Sequence, residues 1–393
     1  MPVSQTGPNV QVALKRQSGI GVPASGSGAI GLEVVPQQGL KLTKAIIPNE
    51  AIRRDGQTAR GRHGSRKADS AYQIQIGVGM CDDLLEAVMR GTWVASANLT
   101  SSDFTTITTT TSTIVFASGN PITKGIHRGD KIKLTGSATS GNNGKWLRVV
   151  GVSSTAITLP AGSLTLNATP DSGATIVIAK TVTNGTTPVE RYYTVEEFGQ
   201  DINEGLLGTD LKISKLELQI QPNKNIIATF TFMGLDVTEQ DSSANFTSPV
   251  YSTALPLVMA DGTIRVNGVD YSVLTGFTLT WDLGGSVPDV LSKTAPDVFL
   301  ANGKISGSFT AIRQDMTFFA AFRAETQVDF FIDMVDTAGN FLSVYVGNAT
   351  LSGADAPLVA NGPLVATVPW AGGIDDGGSD RALTTLKWAT SAP

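Results

Sequence analysis

A mainly β fold is predicted: two similar sandwich or barrel modules, each with a flanking α-helix, and a small inserted β-barrel. Three observations carry it. Of 393 residues only 16% are charged while 42 are Gly, and Thr, Ser and Val are abundant, a composition that favours pleated, half-buried surfaces over helices. Apolar and polar residues alternate with period two in several long runs. One order of parts, strand then short helix then strand pair, occurs in each half of the chain.

The elements follow in order. Residues 1–31 hold Gly7, Pro8, Gly19, Gly21, Pro23 and the run ASGSGAIG with little periodicity, and are expected to be an extended N-terminal arm. The first module is placed at 32–97 and 190–240. Its segment SAYQIQIGV alternates Tyr72, Ile74 and Ile76 with Gln73 and Gln75, the pattern of a half-buried strand. In MCDDLLEAVMRGTW, Leu84, Leu85, Val88 and Met89 share one face, Asp82 or Asp83 is available as a cap, and Gly91 is a stop. A helix of about ten residues is predicted there.

From 98 to 189 the texture changes to short Thr-rich runs punctuated by Gly and Asn, read as a small β-barrel or sandwich of its own, inserted between the helix and the next core segment. Residues 211–235 then form a long hairpin around the turn Gln221-Pro222-Asn223-Lys224, with Ile213, Leu216, Leu218 and Ile220 before it and Ile227, Phe230 and Phe232 after it. Residues 241–262 are polar and read as a linker. The second module, 263–393, repeats the order with KISGSFTAI, a helix capped by Asp315 with Phe318, Phe319 and Phe322 on its apolar face, and the pair VDFFIDMVDTAGNFLSVYV.

The parts for chemistry are few. His63, His127 and Cys81 are the whole His/Cys inventory, too small for a zinc-type site or a thiol–imidazole pair. Gly26-Ser27-Gly28-Ala29-Ile30-Gly31 spells a dinucleotide fingerprint, but β-like sequence follows it where a helix N-terminus would be needed. Asp375, Asp376 and Asp380 lack calcium-loop spacing. No catalytic residue, cofactor or metal is assigned. A single cysteine fits folding in a reducing cytoplasm, and no signal peptide or apolar membrane span is found.

One stretch stands out, RRDGQTARGRHGSRK, with Arg53, Arg54, Arg60, Arg62, Arg66 and Lys67 within fifteen positions of a chain of net charge −5. It has no aromatic residue on which a base could stack. An acidic chain also lacks the basic surface that displaces counterions from phosphate. The loop is therefore expected to meet carboxylates of a neighbouring copy.

IIPNEAIRRDGQ, the helix DDLLEAVMRGTW, and YTVEE leading to the strand pair that ends TFTFMG resemble, in this order, the tail tube (major tail) protein of long, non-contractile bacteriophage tails. The likeness covers 32–97 and 190–236, and 255–350 more loosely. It implies a virion protein, made in the bacterial cytoplasm, that polymerises into stacked rings forming the hollow tube through which double-stranded DNA is ejected. Three two-module subunits would give a ring of pseudo-six-fold symmetry, with six subunits the alternative. It also implies that the arm and the basic loop bridge rings, and that tape-measure, terminator and distal tail proteins are partners. Lys212, Lys215, Glu217 and Lys224 of the hairpin are expected to face the lumen. The rival reading is a β-sandwich carbohydrate or cell-surface binding module, with Trp146 as its exposed platform.

Overall fold

The alternating segments become strands, and their partners divide them into two equivalent sets. The structure, a computed structural model, describes residues 7–35, 38–260, 262–353 and 362–392. The first half contributes β1 (Val10–Arg16), β2 (Ile30–Leu32), β3 (Val34–Val35), β4 (Lys41–Ile47), β5 (Arg62–Gln75) and helix α1 (Asp82–Val88). The insert adds β6 (Ala97–Leu99), α2 (Ser101–Phe104), β7 (Ile107–Thr109), β8 (Thr113–Phe116), β9 (Lys131–Thr135) and β10 (Trp146–Arg148), then β11 (Gly151–Val152), β12 (Ala156–Thr158), β13 (Asn167–Asp171) and β14 (Thr175–Ile178). The chain returns through β15 (Lys180–Thr183), β16 (Tyr193–Gly199), β17 (Glu204–Ile220), β18 (Ile227–Gly234) and β19 (Asp236–Asp241). The second half supplies β20 (Thr263–Val266), β21 (Val269–Asp270), β22 (Leu274–Asp282), β23 (Lys304–Ile312), α3 (Thr317–Arg323), β24 (Val328–Val335), β25 (Phe341–Leu351), β26 (Val365–Gly372) and β27 (Lys387–Thr390).

In the first half β1 lies between β2 and β16, β16 pairs β17, β17 pairs β18 and β19, and β18 pairs β5, which pairs β4. In the second half β20 lies between β21 and β24, β24 pairs β25, β25 pairs β26 and β27, and β26 pairs β23, which pairs β22. Each of these pairings is antiparallel and has its counterpart in the other set. The helices also correspond: α1 and α3 have seven residues each, and two residues beyond each stands a non-glycine in the left-handed region, Arg90 (φ 50°) and Glu325 (φ 50°). One topology is thus written twice.

The modules are fused edge to edge, because β22 also pairs with the second half of β17, from Lys215↔Asp282 to Ile220↔Phe277. The apolar faces of both sets of strands share one core, in which Phe230, Phe232, Phe277, Phe309, Phe330, Trp281 and Trp370 are buried. Burying a side chain of this size contributes about 1.5–3 kcal/mol.

Several expectations need correction. The segment expected to be an arm is tied down: β1 hydrogen-bonds to β16 over seven residues, and the first six residues lie outside the described residues. The polar stretch 241–262, expected to be a linker, is stitched to the first module by bridges Gly26↔Phe246, Ile30↔Val250, Gly77↔Pro256 and Asn225↔Val258, with Phe246 buried. Neither Asp82 nor Asp83 caps α1; both lie inside its first turn, Cys81 holds the cap position without a side-chain bond, and the helix is shorter than predicted. Asp315 Oδ1 accepts the Thr317 amide at 2.9 Å, yet the aromatic face of α3 is half open, with Phe319 and Phe322 exposed.

The insert is two facing sheets, β10-β9-β14-β6 and β11-β12-β8-β7-β13, around its own apolar core, rather than a closed barrel. It springs from the first module but docks on the second. Lys131 Nζ meets Asp333 at 2.7 Å, Arg128 meets Asp329 at 3.0 Å and Lys387 meets Asp130 at 2.8 Å. Immediately after the insert, β15 pairs with β27 of the second module.

Cys81 is fully buried, and burial first, then the neighbouring Asp82 carboxylate, push its thiol up to about 12. A thiol reagent should therefore label the native chain at a negligible rate at pH 8 and label it fully in denaturant. Fast labelling of the native protein would contradict this placement of α1.

Candidate functional site

The most extensive feature of the molecule is a surface, formed because strands that bury alternate residues must expose the others. Six strands of the fused sheet, β5-β18-β17-β22-β23-β26, run side by side across both modules. Register places Gln75, Ile227, Gln219, Thr278, Ser308 and Pro369 in one row, and Gln73, Thr229, Glu217, Thr280, Ser306 and Ala371 in the next. The opposite face of the same strands carries Tyr72, Phe230, Leu218, Leu279 and Phe309 into the core. This face is largely hydroxyl and amide, interrupted by Ile227, Pro369 and Ala371 and with Thr229 buried, and its few charges cancel. Lys215 Nζ pairs with Glu217 at 2.6 Å, and Asp282 stands opposite Lys304.

The hairpin forms as predicted, but its lysines part company. A β-bulge between Ile213 and Lys215 shifts the parity of β17, so that Ile213 and Leu216 both point into the core. Lys215 and Glu217 remain on the polar face, half exposed, and Lys224 is exposed in the turn. Lys212 is 3% exposed and held by Glu190 and Asp297, each at 3.1 Å. Burial lowers its pKa while these carboxylate contacts more than reverse the shift, leaving it above the ordinary lysine value. It offers no charge to a lumen, because residues 283–301 cover that end of the sheet, with Ala295 and Val298 packed against Leu235 and Met233.

The basic stretch is less a loop than expected. Arg62, Arg66 and Lys67 lie in β5, opposite Ile47, Lys44 and Thr43 of β4. Only 48–61 connects the strands, with Arg53, Arg54 and Arg60 exposed beside Ile46, Ile47 and Ile52. Two arginines find carboxylates within their own chain, Arg66 with Asp236 and Arg53 with Asp55, both at 2.6 Å. That Ile residues accompany the arginines is readable in IIPNEAIRRD; that they are exposed is not.

The other candidates dissolve. Asp375 is buried against Arg381 at 2.5 Å, and among the described residues no group of three metal-ligating side chains converges. Strand β2, not a helix, occupies Ile30–Leu32 at the end of the Gly26–Gly31 run. Trp146 packs edge-on against Phe341 at 5.1 Å, with Lys133 Nζ 4.6 Å from its ring centroid. It is therefore not the bare platform that the carbohydrate reading needs. No described helix is long and apolar enough to cross a membrane.

The fold is a duplicated antiparallel β architecture whose chief feature is a broad, largely polar sheet face, with a strand edge and a protruding hairpin beside it. The profile of the family described as phage tail tube protein matches residues 7–372, nearly the whole chain, and the protein belongs to that family. It is a viral structural protein of the bacteriophage virion, located in the tail. No curated protein matches the chain.

Proposed function

We propose that this chain closes into rings which stack into the tube of a long, non-contractile tail, and that double-stranded DNA leaves the capsid through its bore. The observation that carries the reading is the polar, charge-balanced face shared by both modules. A wall lined with arginine would hold phosphates by cumulative counterion release, whereas hydroxyls and amides with cancelled charges let the duplex slide. Lys215 and Glu217 belong to that wall, and Lys224 to its rim.

Since one chain carries two equivalent modules, three chains supply six and close a ring of pseudo-six-fold symmetry. Closure also removes the free strand edges that would otherwise promote disordered association. Six subunits would be needed only if each chain supplied a single module. The insert, anchored to the second module on the face away from the bore, decorates the outside. The hairpin carrying Arg53, Arg54 and Arg60 is a contact between copies, and tape-measure, terminator and distal tail proteins meet the tube inside and at its ends. The subunit is made in the host cytoplasm before assembly.

Electron microscopy of the purified chain tests this. Tubes of uniform bore or closed three-membered rings are expected, and persistent monomers at high concentration and low salt overturn the reading.

A further inference from the structure

We infer that the joint between the two modules of one chain is the template for the joint between chains. The hairpin loop 48–61 of one copy then seats along the rim of the second module of the next copy in the same ring. This rests on the ring reading above and specifies the contact.

The argument starts from what covers the first module. The connection between β22 and β23, residues 283–303, is the counterpart of residues 44–66, whose tip is the loop 48–61, because Ser306 beside Ala371 holds the place of Asp69 beside Met233, and Thr280 that of Lys41. Residues 283–303 run sideways beneath the first module. Asp297 binds Lys212 at 3.1 Å and Tyr192 at 3.0 Å, Ser286 and Phe299 pair with each other, Asp289 accepts from Ser65 at 2.7 Å, and Ala301 O accepts from Arg90. Just before the loop, Trp281 Nε1 donates to Val88 O at the end of α1, at 3.0 Å.

The same positions in the second module are bare. The pairings Tyr193↔Leu211 and Val328↔Ala349 correspond, so Lys212 corresponds to Thr350, and the left-handed Arg90 to the left-handed Glu325. Lys212 is buried; Thr350 is exposed. Met89 is 1% exposed, whereas everything from Phe322 to Gln327 is open. Ile374, whose carbonyl accepts from Asn348 at 2.9 Å two residues before Thr350, is 46% exposed, and Asp376 is exposed as well. Among the described residues no third module covers them.

Loop 48–61 is the matching unburied piece. It follows a strand, β4, that pairs only with β5 among the described residues, as β22 would stand if β17 were taken away. Ile46, Ile47 and Ile52 are 73%, 57% and 101% exposed, more apolar surface at one hairpin than a solvated loop ordinarily shows. Chemistry completes the match: Ile47 and Ile52 complement Phe322 and Ile374, and Arg54 and Arg60 complement Glu325 and Asp376. The counterpart in the first module, Arg90, has the opposite sign to Glu325, as suits a different loop with no arginine.

The experiment uses the full chain with residues 50–60 replaced by Asn-Gly, a turn suited to a two-residue hairpin. A wild-type circular dichroism spectrum establishes that the variant folds. Sedimentation and electron microscopy are then expected to find monomers where wild type gives rings or tubes, with the assembly threshold raised about tenfold or more. Closed rings that fail to stack would overturn the inference and make the hairpin a bridge to the next ring. A second pair of variants keeps the test independent of the deletion. Glu325→Arg with Asp376→Arg should block assembly, and adding Arg54→Glu and Arg60→Glu should restore it; assembly by the first variant, or failure of the combined one, overturns the inference. Wild-type chain that never assembles removes the ring reading itself.

Discussion

Replacing Lys387 with Met is expected to destabilise the protein by about 3–5 kcal/mol, the largest effect of any single substitution away from the aromatic core. Lys387 on β27 and Asp130 in the insert are each 3% exposed, 2.8 Å apart. Asp130 Oδ2 also accepts the His127 amide at 2.6 Å. Without the ammonium, a carboxylate is left buried in a joint that water does not reach, and the ion must be desolvated, protonated or freed by undocking the insert. Removing both charges together, with Lys387→Met and Asp130→Asn, should recover most of the loss, since a buried pair roughly cancels its own desolvation cost. Denaturant titration followed by tryptophan fluorescence reads both, because Trp146 of the insert packs on Phe341 at this joint and Trp388, next to Lys387 in β27, lies in the main core. If the single and double variants lose stability equally, the pair does not hold the insert.

Placing Arg at Thr278 and Ser306 should leave the tube intact and stop DNA from passing. Both residues are exposed on the polar face, on adjacent strands and diagonal to one another, so neither new guanidinium sits directly across from the other. Each subunit would add two phosphate contacts, repeated in every ring. Because log K changes by about 0.9 per neutralised phosphate for each decade of salt, the hold on the duplex should be strong at low salt and relax steeply as salt rises. Virions carrying the variant are expected to show normal tails by electron microscopy and arrested ejection in a dye-release assay at low ionic strength. Thr278→Glu with Ser306→Glu should eject normally. Ejection unchanged by the arginines would mean that this face does not line the bore.

These expectations draw on two kinds of information in the chain. Alternation such as Tyr72, Ile74, Ile76 against Gln73, Gln75 is a local code: it marks a strand with one buried face wherever its partners come from. The recurrence of strand, helix and strand pair was legible for the same reason, as was the low charge of the chain. What period two cannot encode is an interruption of itself. The bulge at Ser214 let Ile213 and Leu216 share the core, and burial of Lys212 depended on residues 283–301, more than seventy positions away. The basic stretch misled in a similar way, since Arg62, Arg66 and Lys67 were counted by charge whereas their pairing with β4 decided that they belong to a strand.

The sequence by itself determined the β class, the two-module order, the separate texture of the insert and the scarcity of catalytic side chains, because each is a property of neighbouring residues. Only the tertiary structure decided that β17 and β22 fuse the modules into one sheet, that the insert born from the first module is anchored by buried ion pairs to the second, and which face lies bare. Those outcomes are set by pairings between residues tens to hundreds of positions apart. Their specificity lies in matching edges, bulges and charges, and no stretch of the chain holds both halves of such a match.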